Sequence, residues 1–206
     1  MLRGREKHMK RRLDRKHYRR KAQRGWRNKV LASYLLVLGL VTGCISARAA
    51  DAAEVEAHLK AAFVYNFARF VEWPPAAGSG PVRIAVLGRG DLGAPLEEVV
   101  RGKSANGRLI EVERINVLAQ SDCCEILLIE RSEMKHLKEI VASLSGKPVL
   151  TVCDGGSCFR DGAMIAFQIA DESVRFQINQ EAAEHGGLHI SSQLLKVAIS
   201  KGGSGK

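Results

Sequence analysis

Glu125-Ile-Leu-Leu-Ile-Glu130 is the stretch on which the fold turns, four consecutive apolar residues bounded by two acids. A strand covered on one face alternates apolar and polar side chains, whereas a strand covered on both faces is apolar throughout. The run therefore predicts a buried strand inside a sheet with a layer on each side. Downstream, Ser132 can cap a helix whose Met134, Leu137, Ile140, Val141 and Leu144 form a core stripe, ended by Gly146 and Pro148. Val149-Leu-Thr-Val152 follows as another strand. Upstream, Leu109-Ile-Glu-Val-Glu-Arg-Ile115 alternates as a half-buried strand does. Before it, Val82-Arg-Ile-Ala-Val-Leu87 reads as a strand, then a glycine-rich turn and a short helix near Pro95–Arg101. Strands separated by helices require crossovers, and hence a mostly parallel sheet with helices on both faces. The pattern then changes. Met164–Ile169 and Val174–Ile178 are β-rich runs joined by Ala170-Asp171-Glu172-Ser173, which predicts an antiparallel hairpin. Ser191 precedes a short helix over Ser192–Ile199, with Ile190 and Leu195 placed as a hydrophobic staple. The predicted class is an α/β three-layer sandwich with a mostly parallel central sheet, an antiparallel edge hairpin and helices on both faces.

Further upstream, Glu54–Trp73 reads as a helix. Val55, Leu59, Phe63, Phe67 and Phe70 recur at helical spacing, Val64 and Val71 lie on an adjacent strip, and Pro74-Pro75 stops the run. Asn66 falls inside the apolar stripe. A buried amide must find a partner or cost about 1–3 kcal/mol, so Asn66 either ties the helix to a loop or strand end or contacts another protein.

The charge distribution separates one end from the rest. The 206-residue chain carries +10, but Met1–Val30 holds 14 basic and 2 acidic residues, or +12, which leaves −2 for Leu31–Lys206. A folded part close to neutral argues against nucleic-acid binding, which needs basic side chains on the folded surface. After the basic run comes Val30–Thr42, about thirteen residues without charge; spanning a bilayer takes about 20. A basic stretch, a short apolar stretch and then small residues describe a secretory signal, assigned to residues 1–49. Ala47-Arg48-Ala49 fits a cleavage site that releases a soluble chain. Val41-Thr42-Gly43-Cys44 competes as a lipoprotein box, with the signal ending at 43 and Cys44 acylated; Thr42 is a less typical residue there. An uncleaved anchor is a third option. Each route places the domain, residues 50–199, in the periplasm, with 200–206 as a flexible tail. Translation can start at Met1 or Met9.

Gly88-Arg-Gly-Asp-Leu-Gly93 is G-x-G-x-x-G between a strand and a helix, with Glu111 and Glu113 about 20 residues on, as in dinucleotide-binding proteins. Three features oppose an NAD-dependent oxidoreductase. The following helix has room for only about two turns before Gly102. The acids lie within a strand instead of at its end, and the leader sends the chain away from cytoplasmic NAD. No cofactor is expected.

Of the cysteines, Cys153 and Cys158 flank Asp154-Gly-Gly-Ser157, a turn that can bring their Cα atoms within the roughly 4.4–6.8 Å of a disulfide. Adjacent Cys123 and Cys124 would point to opposite faces of a strand, one buried and the other free or paired between chains. No CxxC pair suggests zinc. His185 and His189 flank Gly186-Gly187 with no acid or nucleophile beside them, and Ser191 and Ser192 read as cap residues. With no catalytic constellation, the expectation is a binding or regulatory domain and not an enzyme.

Lys60-Ala-Ala-Phe-Val-Tyr-Asn-Phe-Ala-Arg-Phe-Val-Glu-Trp-Pro74 resembles the opening helix of the YfiR family of periplasmic proteins. Ile84–Gly88 with Leu92-Gly93, Cys124–Ile129, Val149–Val152, Gly162–Phe167, Val174–Asn179 and Leu188–Leu195 follow in the family's order, so the resemblance runs from about Val55 to Ala198. It implies a periplasmic regulator that binds the periplasmic sensor domain of an inner-membrane diguanylate cyclase, YfiN-like. Holding that enzyme inactive would lower cyclic di-GMP and biofilm formation. Tyr65, Asn66, Arg69 and Trp73 are then candidate partner contacts, with helix packing the alternative for Tyr65, Arg69 and Trp73, and a homodimer is compatible with the pattern. The family's first-strand cysteine position is Ala85 here, and the Cys153–Cys158 spacing is shorter than the family's late bridge, so redox control does not follow. The alternative reading is a periplasmic small-ligand-binding module, or a lipoprotein, with another partner.

Overall fold

The computed structural model describes residues 51–75, 80–118, 124–155, 157–171 and 173–199. The expected leader 1–49, the lipidation site Cys44, the tail 200–206 and Cys123 lie outside the described residues. Contacts divide the chain into Met1–Ala53 and Glu54–Lys206, and the second unit holds every described strand.

A helix, α1, spans residues 51–70 and runs into a short strand β1 (Val71–Glu72). Then come β2 (Val82–Leu87), α2 (Gly93–Val100), β3 (Ser104–Ala105), β4 (Arg108–Ile115) and β5 (Ile126–Ile129). A 3-10 helix (Arg131–His136) leads into α3 (Leu137–Ser143), followed by β6 (Leu150–Asp154), β7 (Ile165–Ala170) and β8 (Ser173–Ile178). The chain closes with α4 (Gln180–His185), β9 (His189–Ile190) and α5 (Ser192–Val197). Seven strands form one sheet in the order β3-β4-β2-β5-β6-β7-β8, while β1 and β9 form a separate antiparallel pair. The central pairs β4–β2, β2–β5, β5–β6 and β6–β7 are parallel; β3–β4 and β7–β8 are antiparallel. The expected three-layer α/β sandwich with an antiparallel edge hairpin is what the chain adopts.

All four residues of β5 are buried, and alternate ones serve different layers. Ile126 and Leu128 join a core with Ile84, Val86, Leu150, Val152, α1, α2 and α5. Leu127 and Ile129 join a second core with Ala85, Leu87, Cys153, Ala166 and α3. In the larger core Phe63 and Phe67 of α1 meet Phe167 and Phe176, with ring centroids 5.0–6.3 Å apart in tilted, stacked and edge-on pairs. Such pairs add about 0.5–1.5 kcal/mol each beyond area burial.

Several expectations are corrected. The buried face of α1 is Ala57, Lys60, Ala61, Val64, Phe67 and Ala68, while Val55 is 67% and Leu59 42% exposed. The expected stripe holds at Phe67, with Phe63 and Phe70 partly buried against the same core, but its first residues are displaced by Ala57, Lys60 and Ala61. The helix ends at residue 70, before the prolines, because Val71 and Glu72 pair with Ile190 and His189. Ser132 caps no helix, since its hydroxyl accepts from Arg89 N at 2.8 Å and donates to Glu133 at 2.9 Å. The β7–β8 pairing reaches Ala170 and Ser173, so these two residues belong to the strands and not to the connection between them. At α5, Ser191 is the cap as expected, accepting from Leu194 N at 3.3 Å.

Candidate functional site

In a doubly wound sheet, ligands occupy the crevice at the carboxyl ends of the strands where the winding reverses. Here that point lies between β2 and β5. The Gly88–Gly93 loop leaves β2, and Glu130 leaves β5. The Glu130 carboxylate, 2% exposed as a residue, accepts from Leu92 N at 3.1 Å and Gly93 N at 3.2 Å. It therefore sits on the α2 N-terminus, where a dinucleotide would place its pyrophosphate. Burial raises its pKa most; the two backbone donors oppose that, and Asp154 and Asp91 add to it. The glycines make room for the chain's own groups. A Cβ on Gly90 would collide with the Glu130 carboxyl, one on Gly88 (φ 90°) with Ser132, and one on Gly93 would lie 2.9 Å from the Arg114 guanidinium. Glu111 and Glu113 pair in register with Arg83 and Ala85, inside the strand and away from the crevice.

Beside it lies a second closed cluster. Lys60, 2% exposed, donates to Asp154 at 2.7 Å and Glu56 at 2.5 Å, and Arg131 Nε donates to the other Asp154 oxygen at 3.0 Å. Asp154 follows Cys153, which is joined to Cys158 by the expected disulfide with Cα atoms 6.3 Å apart. Cys158 Sγ also lies 3.5 Å from Met134 Sδ. Lys60 was missed as a site residue. Its local signal is Glu56 one turn earlier, a favourable helical order, but Asp154 is 94 positions away. Cys124 is buried in the smaller core, and burial pushes its thiol up to about 11.

At the other end of the sheet Glu125 plays the same internal part. It accepts from Arg83 N at 2.8 Å and pairs with Arg108, which also donates to the Gly80 and Pro81 carbonyls. The Trp73 indole donates to the Glu125 carbonyl at 3.1 Å.

The candidate contacts Tyr65 and Arg69 lie together on α1. The Arg69 guanidinium is 5.6 Å from the Tyr65 ring centroid, and Lys103 Nζ is 4.9 Å from it. Asn66 is half-buried, and no hydrogen bond ties its amide to a loop or strand end among the described residues. Trp73 lines a neighbouring cleft of about 210 Å³ with Ala68, Val71, Val82, Ala105 and Arg108. Of the histidines, His185 borders an apolar groove and exposed His189 sits in β9 opposite Glu72. Among the described residues, no three His, Cys, Asp or Glu side chains converge as a metal site.

These features define an α/β body whose carboxyl-end crevice is filled by its own side chains. Residues 57–199 match the family described as YfiR/HmsC-like, and the chain belongs to that family. It is a family of regulatory proteins of the periplasm. No described helix is long and apolar enough to cross a membrane.

Proposed function

We propose that the protein binds the periplasmic sensor domain of an inner-membrane diguanylate cyclase and holds the enzyme inactive, lowering cyclic di-GMP and biofilm formation. The family match over residues 57–199 carries this reading, since it covers nearly all of the folded body. Lys60 and Asp154 pair with each other, and Glu130 and Glu125 accept from backbone N–H groups, so these buried polar groups already have partners within the fold, which supports binding over catalysis. Inhibition requires only that the surface prefer one conformation of the sensor domain, since a ligand shifts an equilibrium by its differential affinity. Tyr65, Asn66, Arg69 and Trp73 are the proposed contacts. In this reading residues 1–49 are the export leader, and Cys44 is the lipid site when cleavage falls before it. The test is deletion of the gene in a host that retains the partner cyclase. Cyclic di-GMP should rise and return to normal on complementation; an unchanged level removes the reading.

A further inference from the structure

We infer that α1 and the β3–β4 hairpin form a docking surface for an acidic segment of the partner protein. A carboxylate would seat beside Arg69 and Lys103, with a neighbouring apolar side chain in the cleft next to them. The inference rests on the proposed inhibitory function and adds the chemistry of the partner.

The Tyr65 ring holds two cations, Arg69 and Lys103, at 5.6 and 4.9 Å. A ring face attracts a cation, but two like charges on one ring repel each other, and neither has an acidic partner among the described residues. Five other cations of the body do have one: Lys60 and Arg131 with Asp154, Arg108 with Glu125, Arg114 with Glu97, Lys138 with Asp161. Cations such as Arg101 and Lys147 have none among the described residues either, so what marks Arg69 and Lys103 is that two unpaired cations share one ring. The unmatched pair is also held in place. Tyr65 Oη donates to the Ser104 carbonyl and Asn106 Nδ2 to the Arg69 carbonyl, each at 3.4 Å. Asn106 and Gly107, with φ of 52° and 80°, form the two-residue turn that joins β3 to β4 and sets this bracing.

The adjoining cleft of about 210 Å³ offers Ala68, Val71, Trp73 and Val82 as apolar wall, and its one cation, Arg108, is neutralised by Glu125. Glu72 stands at its margin and repels a carboxylate there, so the acid belongs at the Tyr65 end and the apolar side chain in the cleft. The net −2 of Leu31–Lys206 gives no general attraction to an anionic bilayer, which favours a protein segment over lipid.

The test complements the deletion strain with the full chain carrying Arg69→Glu with Lys103→Glu, Arg69→Gln with Lys103→Gln, or Arg69→Lys with Lys103→Arg. Arg175→Glu, on exposed β8 surface, is the charge control. At wild-type periplasmic abundance, the reversal should leave cyclic di-GMP at the deletion level. The glutamine pair should restore it partly, and the Lys/Arg swap and the control fully. Affinity for purified sensor domain should fall about tenfold or more on reversal and weaken with added salt. Full complementation by the glutamine pair and the reversal overturns the docking surface while leaving inhibition intact; failure of wild type to complement removes inhibition itself. If the reversal does not accumulate, the glutamine pair alone decides. Binding of wild type, but not the reversal, to phosphatidylglycerol vesicles together with unchanged sensor-domain affinity overturns the acidic segment in favour of lipid.

Discussion

Two regions of this molecule treat charge in opposite ways. At the carboxyl ends of the parallel strands, Glu130, Asp154, Lys60 and Arg131 are matched to one another or to backbone donors. Where α1 meets the segment before β3, Arg69 and Lys103 share one aromatic ring and have no acidic partner among the described residues. The first arrangement closes the crevice in which related topologies hold ligands; the second sets two exposed cations on one ring, the feature on which the proposed docking surface rests. In the proposed reading, paired charge holds the fold together and unpaired charge gathered on one ring marks the surface that binds.

The comparison is open to attack at its most buried point first. Lys60→Ala strands Asp154 and Glu56 with less compensation and should cost about 3–5 kcal/mol, measured by urea unfolding. A loss near that of an exposed ion pair, about 0–1 kcal/mol, would show that the crevice is wetter than its burial indicates. Opening the Cys153–Cys158 loop with Cys158→Ser should cost about 2 kcal/mol under oxidising conditions and nothing when wild type is compared in reductant. Glu130→Ala leaves Leu92 and Gly93 N–H groups without an acceptor and should cost about 1–3 kcal/mol.

The smallest effect is the most diagnostic. Because the folded pKa of Glu130 is raised above its ordinary value of 4.5, the native state binds more protons than the unfolded chain just above that pH. This group's contribution is therefore fullest at or below pH 4.5 and is lost as pH rises through the folded pKa. Glu130→Gln, which cannot ionise, should gain stability relative to wild type between pH 4.5 and 7. The opposite trend would mean that the two backbone donors outweigh desolvation.

Much of the sheet was legible in the sequence because its strands are buried on both faces and interrupted by helices. Val82–Leu87 has the predicted ends, and the apolar run after Glu125 became the central strand β5. Other features were misread for identifiable reasons. On α1 the expected Val64, Phe67 and Val71 are buried, but Val55 and Leu59 at its start are exposed while Ala57, Lys60 and Ala61 face the core. The β3–β4 hairpin was missed although Asn106-Gly107 is a strong two-residue turn signal, since two-residue β3 has no hydrophobic pattern to flank it. α4 was missed too, although Asn179 caps it by accepting from Ala182 N. The disulfide was readable because its partners are five residues apart. The Lys60–Asp154 pair and the β1–β9 strands join distant segments, and no local pattern announces such pairings.

The aromatic cluster beneath α1 has a consequence for the order in which the chain can fold. Phe67 finds Phe167 and Phe176 only after the last two strands of the sheet exist, about a hundred residues later. A nascent or truncated chain ending before Phe176 would hold its first helix with half of its aromatic seat absent. The packing of the opening helix thus cannot be completed until nearly all of the polypeptide has emerged.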